Sequence, residues 1–216
     1  MKLLLTSAGI TNDSIKKSFF DLVGKKPEDI SLAFIPTASN VETGDKDWLE
    51  EDLIRLKNLN LKSINVVDIS VVPENEWRPQ LEESDVLFFE GGNSFYLMEW
   101  INKSGLSLIL PELLKTKVYV GVSAGSMVAS HDLLLNLSQK LYEEDLDRTE
   151  EMNGLSFVDF YILPHLNSMF FTNVVEENIK LLGIKEKIYA LDDMSAVVVK
   201  DDKMEIVSEG KYLELN

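Results

Sequence analysis

The chain has no cysteine among its 216 residues. Disulfides, thiolate metal sites and a cysteine nucleophile are therefore excluded. Histidine is scarce, with only His131 and His165, and arginine occurs only as Arg55, Arg78 and Arg148. Positive charge is short overall. Against 37 Asp and Glu there are 21 Lys and Arg, leaving a formal net charge of −16. Such a surface repels nucleic acid and anionic membranes, so neither is expected as a partner. No apolar run approaches the ~20 residues that span a bilayer. The opening "MKLLLTSAG" is too short for a signal peptide, which makes a cytoplasmic location the expectation. There is also no linker, repeat or low-complexity tract. One domain over residues 1–216 is expected, long enough to bury a sizeable core.

What is present is an alternation. "KLLLTSAG", "ISLAFIPTAS", "SINVVDIS", "DVLFFEGGN", "KVYVGV", "VDFYILPH" and "KIYALDD" read as strands. Between them, "DSIKKSFFDLVG", "KDWLEEDLIRLKNLN", "SFYLMEWI" and "NVVEENIKLLG" carry apolar residues at helical spacing. The last stretch, "SAVVVKDDKMEIVSEG", reads as a hairpin turning near Asp201 and Asp202. Strands that are apolar on both faces and alternate with helices predict an α/β fold. The expected core is a mostly parallel, doubly wound, flavodoxin-like sheet with helices on both faces, the hairpin adding an antiparallel edge. "YEEDLDRTEEMNG" reads as a solvated acidic loop or lid.

In an open α/β sheet, ligands bind beyond the carboxyl ends of the parallel strands. The fourth expected strand ends in Glu90-Gly91-Gly92-Asn93, the fifth at Ser123, the sixth at Pro164-His165 and the seventh at Asp192-Asp193. Each motif alone has a bland reading, as a tight turn, a packed imidazole or a cap. Together they place a hydroxyl, an imidazole, carboxylates and a diglycine on one edge. Those are the parts of a serine hydrolase. In "GVSAG", glycine before and after Ser123 lets the chain turn sharply from strand to helix, as a nucleophile elbow does. The Ala124 amide can then face a developing oxyanion, with a second donor from the "GGN" turn, most readily Gly92. The order serine, histidine, acid differs from that of the α/β-hydrolases, where histidine comes last.

"GGNSFYL", "GVSAGSM", "ILPHLN" and "ALDDMSAVVV" follow one another in an order and spacing that resembles the dipeptidase E (aspartyl dipeptidase) family of serine peptidases, over nearly the whole chain. The resemblance implies a fold like that of class I glutamine amidotransferase domains. It implies Ser123 as nucleophile, His165 as base and Asp193, rather than Asp192, as the third member. Gly92 and Ala124 match the oxyanion-hole positions, and no metal or organic cofactor is implied. The partner implied is a small peptide. The family's dipeptidase looks to use glutamate where this chain has aspartate. An aspartate-selective pocket calls for a cation, and residues 154–179 around His165 contain no lysine or arginine. Asn93 and Asn167, with Ser126 and Ser168, are polar but neutral, and suit a neutral substrate or peptide backbone. A non-catalytic small-molecule-binding or interaction domain of the same fold is the alternative, and an intact set of Ser123, His165 and Asp193 argues against it.

Overall fold

A computed structural model describes residues 1–201 and 203–216. The first half is a run of strand–helix units: β1 (Lys2–Thr6), α1 (Asp13–Val23), β2 (Ser31–Ile35), α2 (Asp47–Lys57), β3 (Ser63–Val66), α3 (Glu74–Glu83), β4 (Val86–Phe89), α4 (Ser94–Lys103), α5 (Leu106–Leu113) and β5 (Val118–Val122). There follow α6 (Ala124–Met127), β6 (Asp132–Leu133), α7 (Leu135–Leu137), β7 (Met152–Asn153), β8 (Tyr161–Leu163), α8 (Glu176–Leu181), β9 (Ile188–Leu191), β10 (Ser195–Lys200), β11 (Lys203–Ser208) and β12 (Tyr212–Leu215).

The main sheet has the order β11-β10-β1-β5-β4-β2-β3. Its five N-terminal strands are parallel, and β10 and β11 add an antiparallel edge beside β1. The expected mostly parallel sheet with a closing hairpin is present, although Asp202, at its expected turn, lies outside the described residues. Side chains alternate across the pleat. Leu3, Leu5, Leu87, Phe89 and Tyr119 face one layer, formed by α3, α4 and α5. Leu4, Phe34, Phe88, Val120 and Val122 face the other, built on Ile15, Phe19 and Leu22 of α1 and Leu56 of α2. Both faces being covered explains why these strands read as continuous apolar runs.

The structure departs from the sequence expectation in one important respect. The strands that carry His165 and Asp193 do not join the main sheet. β8 and β9 pair in parallel with each other, and β12 pairs antiparallel to β9, in a separate three-stranded sheet. That sheet has its own core, including Leu163, Leu166, Val174, Ile179 and Ala190. Strand periodicity reports a pleat, not the sheet to which a strand belongs. Helices α3 and α5 were also not expected. Each contains an internal proline, Pro79 and Pro111, a residue that ordinarily argues against helix.

Candidate active site

Strand register brings the site together. Phe89 of β4 lies opposite Gly121, and Thr6 of β1 lies opposite Val122. The residues leaving the three neighbouring strands, Gly91, Ser123 and Ser7, are therefore abreast. Ser123 adopts φ 46° and ψ −108°, a left-side conformation that L-residues rarely occupy. Its N–H donates to the carbonyls of Thr6 and Ser7, both at 3.1 Å, and its carbonyl accepts from Ser126 and Met127. The turn is held from both sides. Gly125 is required by packing, because a Cβ there would stand 2.2 Å from the Phe89 carbonyl oxygen.

The Ser123 hydroxyl lies 3.0 Å from His165 Nε2, and His165 Nδ1 lies 2.7 Å from Asp193 Oδ1. A carboxylate only accepts, so the Nδ1 proton goes to Asp193 and Nε2 is left to accept from Ser123. His165 has φ 65° and its ring stacks on Phe171 at 4.3 Å between centroids. Behind it, Tyr142 donates to the Pro164 carbonyl and meets Phe171 edge-on. The imidazole thus has a wall on one face and a polar partner on each nitrogen.

Burial raises the Asp193 carboxyl, but the hydrogen bond and charge of His165, then the hydroxyl of Ser7, outweigh it and hold it below the usual range. Ser7 Oγ donates to Asp193 Oδ1 at 2.9 Å and accepts the backbone N–H of His165 at 2.8 Å. Thr11 and Asn12 bind the carbonyls of Asp193 and Met194. The sequence reading passed over Ser7, although it ends a central strand on the edge already singled out. Asp192 turns away, accepting from Met194 N–H, Ser195 Oγ and Lys211 N–H.

Among the described residues, the amides of Gly92 and Ala124 have no protein acceptor. Ala124 opens α6, where such N–H groups are free by construction. Gly92 has φ 123°, and a Cβ would lie 2.4 Å from the Ala38 carbonyl oxygen, so only glycine lets the turn sit this close.

The neutral polar residues divide. Asn93 Oδ1 caps α4 by accepting Tyr96 N–H, and its Nδ2 reaches both oxygens of Asp145 at 3.3 Å. Ser126 is fully buried and donates to the Thr6 and Gly121 carbonyls. Both are occupied in holding the fold. Asn167 is exposed, with φ 58°, and Ser168 holds the following turn at Phe170 N–H. The acidic stretch is partly folded in rather than simply solvated. Asp145 is only 9% exposed and also accepts from Ser138. Burial, then the charges of Glu42 and Asp145, push Glu144 up to about 8. All three guanidinium groups pair within the chain: Arg55 with Glu51 and Asp52, Arg78 with Glu74 and Glu82, and Arg148 with Glu99 and Asp145. Among the described residues, no cluster of His, Asp and Glu is arranged to hold a metal ion, and no helix is long and apolar enough to cross a membrane.

A serine on a strained strand-to-helix turn, in line with an imidazole and a carboxylate on an α/β sheet, is the equipment of a hydrolase. Comparison with known proteins narrows that class to a peptidase. The chain belongs to peptidase family S51, whose family model matches residues 3–207. An uncharacterised peptidase of Listeria monocytogenes is 28% identical over 177 residues, 79% of this chain and 82% of that one. Another, from Pasteurella multocida, is 26% identical over 191 residues, 85% and 87% of the two chains. Peptidase E of Shewanella amazonensis is 28% identical over 134 residues, 61% of this chain and 52% of its own. A crystal structure of a Listeria monocytogenes protein assigned as a peptidase E superposes with a TM-score of 0.78 at 25% identity, covering 97% of this chain and 98% of that one.

Proposed function

We propose that this chain is a serine peptidase of short peptides, dipeptides among them, working as one unit over residues 1–216 with Ser123 as nucleophile. His165 takes the hydroxyl proton as Ser123 Oγ attacks the scissile carbonyl. Asp193 fixes the tautomer and stabilises the imidazolium. The Gly92 and Ala124 amides receive the oxyanion. When the intermediate collapses, the C–N bond breaks and His165 returns the proton to the leaving amine. Water, activated by the same imidazole, then hydrolyses the acyl-serine. No step calls on a metal or organic cofactor.

One observation carries this reading: the continuous contact from Ser123 Oγ through His165 to Asp193, at 3.0 and 2.7 Å, built on a serine at φ 46°. A partly exposed serine with a merely structural hydroxyl has no reason to sit in that backbone conformation.

The substrate side favours neutral or amino-bearing peptides over acidic ones. Asp145, which anchors Asn93, and Glu42 near it give this rim a negative character, while Glu144 beside them, pushed up to about 8, is largely protonated at neutral pH. The arginines are committed to the chain's own carboxylates, and Asn167 remains as an exposed polar group for peptide backbone. The test is hydrolysis of a dipeptide series by the wild type and Ser123→Ala. The variant is expected to lose turnover to near background, and retention of activity would remove Ser123 from the mechanism.

A further inference from the structure

Glu90 is the residue immediately before the Gly91-Gly92 turn, and it has no exposed surface. It continues the β4 face that carries Val86 and Phe88 against α1 and α2. Its Oε1 accepts the N–H of Gly91 at 2.9 Å. Its Oε2 is buried and finds no donor among the described residues. An orphaned buried oxygen is costly and calls for an explanation.

The explanation lies across the interface, on α2. Asp52 faces Glu90, and its side chain is only 6% exposed. Gly9 makes room for it, since a Cβ at that position would stand 2.7 Å from Asp52 Oδ1. Arg55 Nη1 donates to Asp52 Oδ1 at 2.7 Å. Two carboxylates in so dry a place cannot both stay ionised at low cost. One proton resolves the arrangement. A protonated Glu90 donates from Oε2 to the Asp52 carboxylate, while Oε1 keeps the Gly91 amide and Arg55 neutralises Asp52. No polar atom is then left over.

We propose that Glu90 is a positioning residue, a protonated carboxylic acid clamped between Asp52 and the Gly91 N–H, which holds the Gly91-Gly92 turn so that the Gly92 amide faces the Ser123 hydroxyl. Gly91 is itself against the nucleophile: a Cβ there would meet Ser123 Cβ at 3.4 Å. Burial first, and then the charge of Asp52, hold the Glu90 proton well above the carboxylate range, with the Gly91 amide and Arg55 pulling the other way. Among the described residues, the charged groups facing the pair come from α2: Asp52 and Arg55 directly, and Glu51 through Asp52. Asp193, from the loop after β9, is linked to it through the charge of Arg55. The residues at the end of β5 contribute Ser123, and the loop after β1 contributes Gly9.

This inference rests on the peptidase reading, and two readouts separate them. The first is the pH dependence of kcat and KM on a dipeptide. Glu90→Ala is expected to lower kcat about 10²-fold with KM little changed, the size of effect seen when one oxyanion donor is lost. Glu90→Gln keeps both an acceptor for Gly91 and a donor for Asp52, so it restores kcat and removes the alkaline fall that deprotonation of Glu90 produces. Asp52→Asn removes the neighbouring charge and moves that fall to lower pH. The second is infrared difference spectroscopy of the wild type against Glu90→Gln at neutral pH, without substrate. A protonated-carboxyl stretch present in the wild type and absent in Glu90→Gln is expected. Its absence, or a Glu90→Gln variant with the wild-type alkaline fall, would overturn the inference. If Ser123→Ala still hydrolyses peptides, the peptidase reading fails while the infrared result still decides the carboxyl pair.

Discussion

Ser7 and Asp193 lie 186 residues apart in sequence and share a hydrogen bond of 2.9 Å, made to the same carboxylate oxygen that faces His165. The Ser7 hydroxyl also accepts the His165 backbone N–H. One side chain just after β1 therefore holds both the Asp193 carboxylate and the main chain at His165. Ser7→Ala is expected to lower kcat by about ten- to a hundredfold, since a hydrogen bond to a charged group is worth roughly 1.5–3 kcal/mol. It also removes one of the interactions that depress the Asp193 carboxyl. A depressed carboxylate contributes stability that is present above its ordinary value of about 4 and lost as pH falls through the folded one. Acid unfolding of Ser7→Ala should thus begin at higher pH than in the wild type. Unchanged kcat together with an unchanged acid transition would show that Ser7 is incidental.

The neighbouring aspartates should separate cleanly. Asp193→Asn is expected to reduce turnover by roughly 10⁴ through the wrong imidazole tautomer, with little loss of stability. Asp192→Asn should do the reverse. Asp192 ties Met194, Ser195 and Lys211 together where β9 passes into β10, so its loss should cost stability, about 1–3 kcal/mol, and leave kcat near normal. Thermal melts and kcat for the two variants decide the assignment.

Arg148 is the arginine nearest the acidic rim, and it is held by Glu99 at 2.5 Å and stacked over Phe95. A substrate carboxylate would have to take it from Glu99. The kcat/KM for Ala-Leu is therefore expected to exceed that for Asp-Leu, and Arg148→Ala should leave the ratio unchanged. Strong selection of Asp-Leu, lost in Arg148→Ala, would mean that the guanidinium leaves Glu99 to bind substrate.

Glu144 carries a prediction about stability alone. Its carboxyl is pushed up to about 8, from an ordinary value near 4.3, by burial and then by Glu42 and Asp145. The folded state binds that proton more tightly than the unfolded chain. Its contribution is full below about pH 4 and disappears as pH rises through 8. Glu144→Gln should flatten this decline and melt higher than the wild type at pH 8. A melting temperature below that of the wild type there would place Glu144 in an ion pair instead.

Much of this was legible in the sequence, because the relevant signals are local. Gly121, Gly125 and the apolar run before Ser123 mark a strand-to-helix turn whatever surrounds it. The edge rule then gathered Ser123, His165, Asp192-Asp193 and Gly92 without any coordinates. It could not show that β8 and β9 leave the main sheet, because pairing is a choice between distant partners and β12, which completes the small sheet, is only four residues long. Asn93 and Ser126 looked available to substrate because a polar side chain at a strand end gives no hint of its partners. Each was already engaged, by α4 and Asp145 in one case and by the Thr6 and Gly121 carbonyls in the other. Glu90 shows the opposite failing. A carboxylate before a diglycine reads as a turn residue, and only its complete burial opposite Asp52 gives it chemical meaning.

The division into two sheets has a mechanical side. Ser123 stands at the end of β5 in the large sheet, while His165 follows β8 in the small one, and the chain crosses from one to the other at Asp193. The distance between hydroxyl and imidazole is thus a gauge of how the two sheets are seated. A sliding of about 1 Å between them stretches a 3.0 Å contact beyond hydrogen-bond range while leaving every strand intact. Heat or mild denaturant that loosens this seam is expected to abolish peptide turnover before the helices and strands melt, with the hydrogen bonds of Ser7 to His165 and Asp193 as the pins that resist it.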